Sequence, residues 1–135
     1  MNDKVFLDTN VLIYSYSNSE FNKQAVARKL IAEGNSFVST QVLQELTNAV
    51  TRKLHFGYTD AINVVNECMQ NNNLHINTSD TILKACQIAD RYHFSFYDSL
   101  IIAAAIECNC ATLYSEDLQH NQLIDNKLKI VNPFQ

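Results

Sequence analysis

Four carboxylates carry the chemistry this sequence can perform: Asp8 in FLDTNVLIY, Glu45 in QVLQELTNAV, Asp98 in FYDSLIIAAA and Asp117 in LYSEDLQ. Asp98 opens an almost wholly apolar run, and Glu45 lies close to Val42 and Leu46 on its own helix face. Both therefore interrupt surfaces expected to be buried. A buried carboxylate must be protonated or paired with a cation, yet no Lys or Arg adjoins any of the four in sequence. Taken singly, each acid has an ordinary role as helix cap, dipole partner, solvated helix residue or turn residue. Taken together they point to a metal ion. All-oxygen donors, with Asn10 and Ser115 as neutral supports and no His or Cys beside them, suit Mg²⁺ or Mn²⁺ rather than zinc. Mg²⁺ keeps waters and takes substrate phosphates as further ligands, so the chemistry indicated is phosphoryl transfer to water.

Such a cluster needs elements that deliver four distant residues to one place. KVFLD (4–8), SFVS (36–39), LHIN (74–77), ATLYS (111–115) and LKIVN (128–132) read as short strands. Between them, helical patterns begin near Thr9 and at Asn22, Thr40, Thr59, Ser79 and Phe96, with Gly34 stopping the second. Asn71 to Asn73 reads as a turn. Alternation of this kind specifies an α/β fold with a mostly parallel central sheet of about five strands and helices on both faces. Residues 1–135 are expected to form one domain. In such sheets chemistry gathers outside the carboxyl ends of the strands. Asp8 ends the first strand, Asp117 follows the fourth, and Glu45 and Asp98 lie early in helices, so all four can reach one edge.

Composition removes several alternatives. The chain has 47% hydrophobic residues, enough for a core, and only two glycines, Gly34 and Gly57. Dinucleotide fingerprints, P-loops and nucleophile elbows each need clustered glycines and are excluded. Cys68, Cys86, Cys108 and Cys110 form no C-x-x-C pair and are expected to be buried free thiols in a reducing cytoplasm. The longest apolar run, Leu100 to Ile106, is too short to span a bilayer. A net charge of −4 argues against a generally basic nucleic-acid surface. Local basic clusters occur nonetheless, at Lys23, Arg28 and Lys29, and at Arg52, Lys53 and His55. The four histidines are read as structural or surface residues, because a water nucleophile needs no catalytic His.

The four acidic segments, in this order and across nearly the whole chain, resemble the motifs of PIN domains, in particular those of VapC-type ribonuclease toxins. The resemblance implies Mg²⁺-dependent cleavage of RNA, homodimers and often a small antitoxin that blocks the site. It implies Asp8, Glu45, Asp98 and Asp117 as the catalytic acids, with Asp8, Asp98 and Asp117 as metal ligands and Ser115 where a Ser or Thr is usual. Glu116 adjoins Asp117, so the fourth role has two candidates, of which Asp117 is favoured. Arg52 and Lys53 are the candidate RNA contacts. Two rivals stand beside this reading. A haloacid dehalogenase-like phosphatase also has Asp after its first strand, but needs D-x-D where this chain has DTN. A non-cleaving PIN-like module that binds RNA or protein would not need all four acids.

Overall fold

The computed structural model describes residues 2–135. Its centre is a six-stranded sheet in the order β3-β2-β1-β4-β6-β5. The two-sided apolar segment VFL forms β1 (Val5–Leu7), flanked in parallel by β2 (Ser36–Ser39) and β4 (Thr112–Tyr114). Beyond them lie β3 (Asn73–His75) and β6 (Leu128–Val131), also parallel to their neighbours. Burial of Phe6, Leu7, Val38, Leu113 and Ile130 explains why these strands read as apolar runs rather than alternating ones.

Helices α1 (Thr9–Tyr14), α2 (Phe21–Ala32), α3 (Thr40–Arg52), α4 (Tyr58–Asn71), α5 (Ser79–Tyr92) and α6 (Phe96–Glu107) flank the sheet. Helix α1 packs on α2 and α3, α3 on α4, and α5 on α6. Val42, Leu46 and Val50 form the core stripe of α3, as their spacing predicts. Helix α6 is apolar almost all round, and Ser99 through Ala105 are all buried. Ser95 caps it: its Oγ accepts the Asp98 N–H at 3.2 Å.

The differences from the sequence reading have local causes. A sixth strand, β5 (Leu123–Ile124), pairs antiparallel with β6. It is too short to show periodicity, and its turn uses Asp125 and Asn126, both at positive φ. The third strand begins at Asn73, inside the expected turn, and α4 starts at Tyr58 behind Gly57. Asn and His occupy the left-handed positions at Asn35, His55, His93, Asn109 and Asn121 as well, which is how a chain with two glycines makes its turns. The cysteines are free, but Cys86 is exposed and Cys108 half-buried, which corrects the expectation of uniformly buried thiols. Among the described residues no helix is long and apolar enough to cross a membrane.

Candidate active site

The strand order reverses direction at β1, with β2 on one side and β4 on the other. A crevice opens at the carboxyl end of such a switch point. Here it is a cleft of about 550 Å³ whose lining includes Asp8, Glu45, Asp98, Glu116 and Asp117. The β1–β4 register pairs Leu7 with Tyr114, so the next residues, Asp8 and Ser115, emerge side by side.

Asp8 is 7% exposed and sits as N-cap of α1. Its Oδ1 accepts the Thr9 N–H at 2.7 Å, and its Oδ2 accepts the Ser115 hydroxyl at 2.7 Å. The capping role considered from sequence is thus real, but it uses only part of the carboxylate. Burial pushes the Asp8 carboxyl from 3.8 up to about 6; the Ser115 and Thr9 bonds oppose this, while nearby Glu45 and Asp117 add to it. Among the described residues no ion pair reaches Asp8, Glu45, Asp98 or Asp117.

The remaining acids are held less deeply. Glu45 is half-buried, its Oε1 accepting the Thr9 hydroxyl at 2.6 Å. Gln41, one turn earlier on α3, donates to Glu45 Oε2 at 3.3 Å and to the Tyr97 carbonyl at 3.0 Å, linking α3 to the start of α6. Asp98 is half-buried and its side chain lines the cleft. Since Ser95 caps the helix, the Asp98 carboxylate is free of that task. Asp117 is exposed, with Oδ2 accepting the Asn10 amide at 3.0 Å. Ser115 Oγ also accepts the Asp117 N–H at 3.2 Å, so one hydroxyl ties Asp8 to Asp117. Both neutral supports named from sequence therefore touch the acids. The expectation that Glu45 and Asp98 are buried is corrected: their helix faces border an open cleft rather than the core.

Structure separates Glu116 from Asp117. Tyr14 donates to Glu116 Oε1 at 2.6 Å, and Lys23 of α2 donates to Oε2 at 2.5 Å. Burial pushes the Glu116 carboxyl up, but the Lys23 and Tyr14 bonds hold it below its ordinary value. Lys23 also lies 4.7 Å from the Tyr14 ring centroid, and Phe134 packs edge-on to Tyr14. Glu116 is thus neutralised while Asp117 is not. Nothing in the sequence joins Lys23 to a residue so far along the chain; the pair exists only through the fold. Thr9, by contrast, adjoins Asp8, and Gln41 lies four residues before Glu45 on one helix face, so both were open to discovery by spacing.

Residues 5–125 match the PIN domain family model. The chain belongs to the PIN domain family. No curated protein matches it closely enough to count as a relative. Its fold is similar to that of Mycobacterium tuberculosis VapC20, described as a sarcin-ricin loop cleaving toxin (TM-score 0.69, 18% identity, 84% of this chain and 90% of that one). It is also similar to a chain of a toxin-antitoxin complex from Klebsiella pneumoniae (0.70, 16%, 96% and 98%) and of DNA-bound VapBC from Salmonella typhimurium (0.66, 18%, 95% and 96%).

The cleft of this PIN domain fits a hard divalent cation by donor type, because Asp8, Asp98 and Asp117 offer oxygen only. None of the four histidines lines it. Among the described residues no three His, Cys, Asp or Glu side chains stand close enough together to hold one ion. Arg52 ends α3 and Lys53 is its C-cap; both are exposed on the rim of the same cleft.

Proposed function

We propose that this chain is one nuclease domain, an endoribonuclease that hydrolyses RNA phosphodiester bonds with Mg²⁺ or Mn²⁺. The observation that carries this reading is Asp8. It is buried at a cleft that Glu45, Asp98 and Asp117 also line, no ion pair reaches any of the four among the described residues, and burial raises its carboxyl to about 6, so a cation there would relieve the crowded charge. Asp8, Asp98 and Asp117 would hold the ion, one or two of them directly and the rest through its waters. When bound, it would supply a water of lowered pKa and neutralise charge on the scissile phosphate. Ser115 and the Thr9 N–H orient Asp8, Asn10 orients Asp117, and the Thr9 hydroxyl orients Glu45, which would hold a water of the ion or a second ion. Arg52 and Lys53 contact RNA phosphates on the rim. Glu116, already paired with Lys23, stays out of the chemistry. The phosphatase alternative loses its footing with the family match.

The structural neighbours described as a sarcin-ricin loop cleaving toxin and as a toxin-antitoxin complex support a further reading. The chain acts in the cytoplasm as a homodimeric toxin whose cleft is controlled by a small antitoxin protein. A product of an adjacent reading frame that binds the chain and suppresses cleavage would establish this.

The test of catalysis is RNA cleavage by purified protein with millimolar Mg²⁺ or Mn²⁺ and with EDTA. Chelation should abolish cleavage, and Asp8→Asn should lower it by at least about two orders of magnitude, because several kcal/mol of charge stabilisation are lost. Cleavage undiminished by EDTA would remove the metal from the mechanism. RNA binding without cleavage under any divalent cation would favour the non-cleaving module.

A further inference from the structure

Beyond the acids and the cationic rim, the cleft has an aromatic lip. Tyr97 immediately precedes Asp98 in the first turn of α6, and a step of about 100° around the helix takes its ring away from the core. The side chain is 65% exposed and lines the cleft. Leaving so much apolar ring in water gains nothing for folding. The residue is nevertheless held in place. Its carbonyl accepts the Gln41 amide at 3.0 Å, and Phe96 meets its ring edge-on, with centroids 5.3 Å apart and planes at 73°. Its hydroxyl makes no hydrogen bond among the described residues. A braced ring with a free face and a free hydroxyl is prepared for a ligand.

We propose that Tyr97 is the residue that positions substrate by stacking on a nucleobase next to the scissile phosphate. This rests on the nuclease reading of the cleft. The acids occupy the floor, Arg52 and Lys53 the rim of α3, and Tyr97 the start of α6 beside Asp98, so the three parts of a nucleotide strand meet three different surfaces. Metal and reacting phosphate belong to the acids, a flanking phosphate to the cations, and a base to the ring. Every base has a π face, so stacking anchors a strand without reading its sequence. A base inside a duplex has both faces covered by its neighbours and cannot offer one to Tyr97.

The sequence contains no tryptophan, which makes the test direct. Tyr97→Trp introduces a single indole, here combined with Asp8→Asn so that bound RNA is not cut. With a short unpaired RNA oligonucleotide and Mg²⁺, its emission should be quenched, and the same strand annealed to its complement should quench far less. In the otherwise wild-type protein, Tyr97→Ala should raise KM about 5- to 160-fold, the range of one lost base–aromatic stack, and leave kcat nearly unchanged. Tyr97→Phe should restore KM. An abasic site scanned along the oligonucleotide should erase the difference between wild type and Tyr97→Ala at one position. Wild-type KM in Tyr97→Ala, or unquenched emission from Tyr97→Trp while the RNA is bound, overturns the proposal. So does a Tyr97→Ala protein that changes oligomeric state with KM intact, which would make Tyr97 a protein-contact residue. If wild type cuts no RNA, the nuclease reading fails, yet quenching still decides whether the ring stacks on bases.

Discussion

At position 8 two demands fall on one side chain. The Asp8 carboxylate caps α1 and accepts the Ser115 hydroxyl, which holds it rigid, yet it is buried beside other acids, which makes its charge costly. The sign of the resulting pH dependence follows. Because the folded-state value is raised from 3.8 to about 6, the folded protein binds this proton more tightly than the unfolded chain. The contribution is fully present below about pH 4 and is lost as pH rises through about 6, a span of ~3 kcal/mol. Asp8→Asn should remove this component. Without metal at pH 7.5 the variant should be more stable than wild type by about 1–3 kcal/mol, and the advantage should vanish near pH 4, as read from denaturant melts at both pH values. An advantage that does not change with pH would show that burial and neighbouring charge are not what governs Asp8. Ser115→Ala should act in the opposite direction, since it leaves a buried acceptor short of a donor, and should cost about 1–3 kcal/mol.

Two helices turn these side chains into a site. On α3, Val42, Leu46 and Val50 face the core while Gln41, Glu45, Asn48 and Arg52 line the cleft, so one helix serves the core on one side and the candidate site on the other. Changing Arg52 and Lys53 together to Ala should leave the core untouched. It should weaken RNA binding and reduce the slope of log affinity against log salt by about one to two, measured by titration at several salt concentrations. An unchanged slope would make them plain solvated residues. On α6 the Ser95 cap relieves Asp98 of a structural task. Ser95→Ala should cost about 1 kcal/mol of stability by loosening the first turn, which thermal melts will register. That loss should also blunt the stabilisation by Mg²⁺, because Asp98 belongs to the frayed turn.

Across the whole molecule, the strand order places a crevice between β1 and β4, and both segments leaving it carry acids. The chain carries a net charge of −4, so under the proposed nuclease reading the cleft would need an added cation and a local basic rim to receive a polyanion. Ligand linkage gives this a thermodynamic signature. A cation that binds only the folded state raises stability with its concentration, by about 2.7 kcal/mol at a hundred times its Kd. Wild-type protein should therefore melt higher in millimolar Mg²⁺ than in EDTA. Asp98→Asn should melt no lower than wild type in EDTA, lose most of the Mg²⁺ shift and fail to cut RNA. A variant with the wild-type shift and cleavage rate would show that Asp98 is structural only.

The sequence by itself determined the parallel α/β plan, because apolar strand runs and amphipathic helices alternate in a way that few other folds satisfy. It also brought Asp8, Glu45, Asp98 and Asp117 to one edge as candidates, since each follows a strand or opens a helix there, and the structure lines one cleft with them. Ser115 and Asn10 were legible for the same reason, being neighbours of those acids. Tertiary structure alone decided what depends on residues distant in sequence. Lys23 neutralises Glu116 and so distinguishes it from the adjacent Asp117, a distinction that no spacing in SED contains. The cleft stays open, so Glu45 and Asp98 are half-buried where helical periodicity alone expects burial. The sixth strand forms because β6 offers an edge to two residues with no strand pattern of their own. Tyr97 becomes a lip of the cleft only because Gln41 of α3 fastens the start of α6 across it. Periodicity records which face of an element is apolar; it carries no record of which distant side chain meets that face or of where the packing leaves a gap.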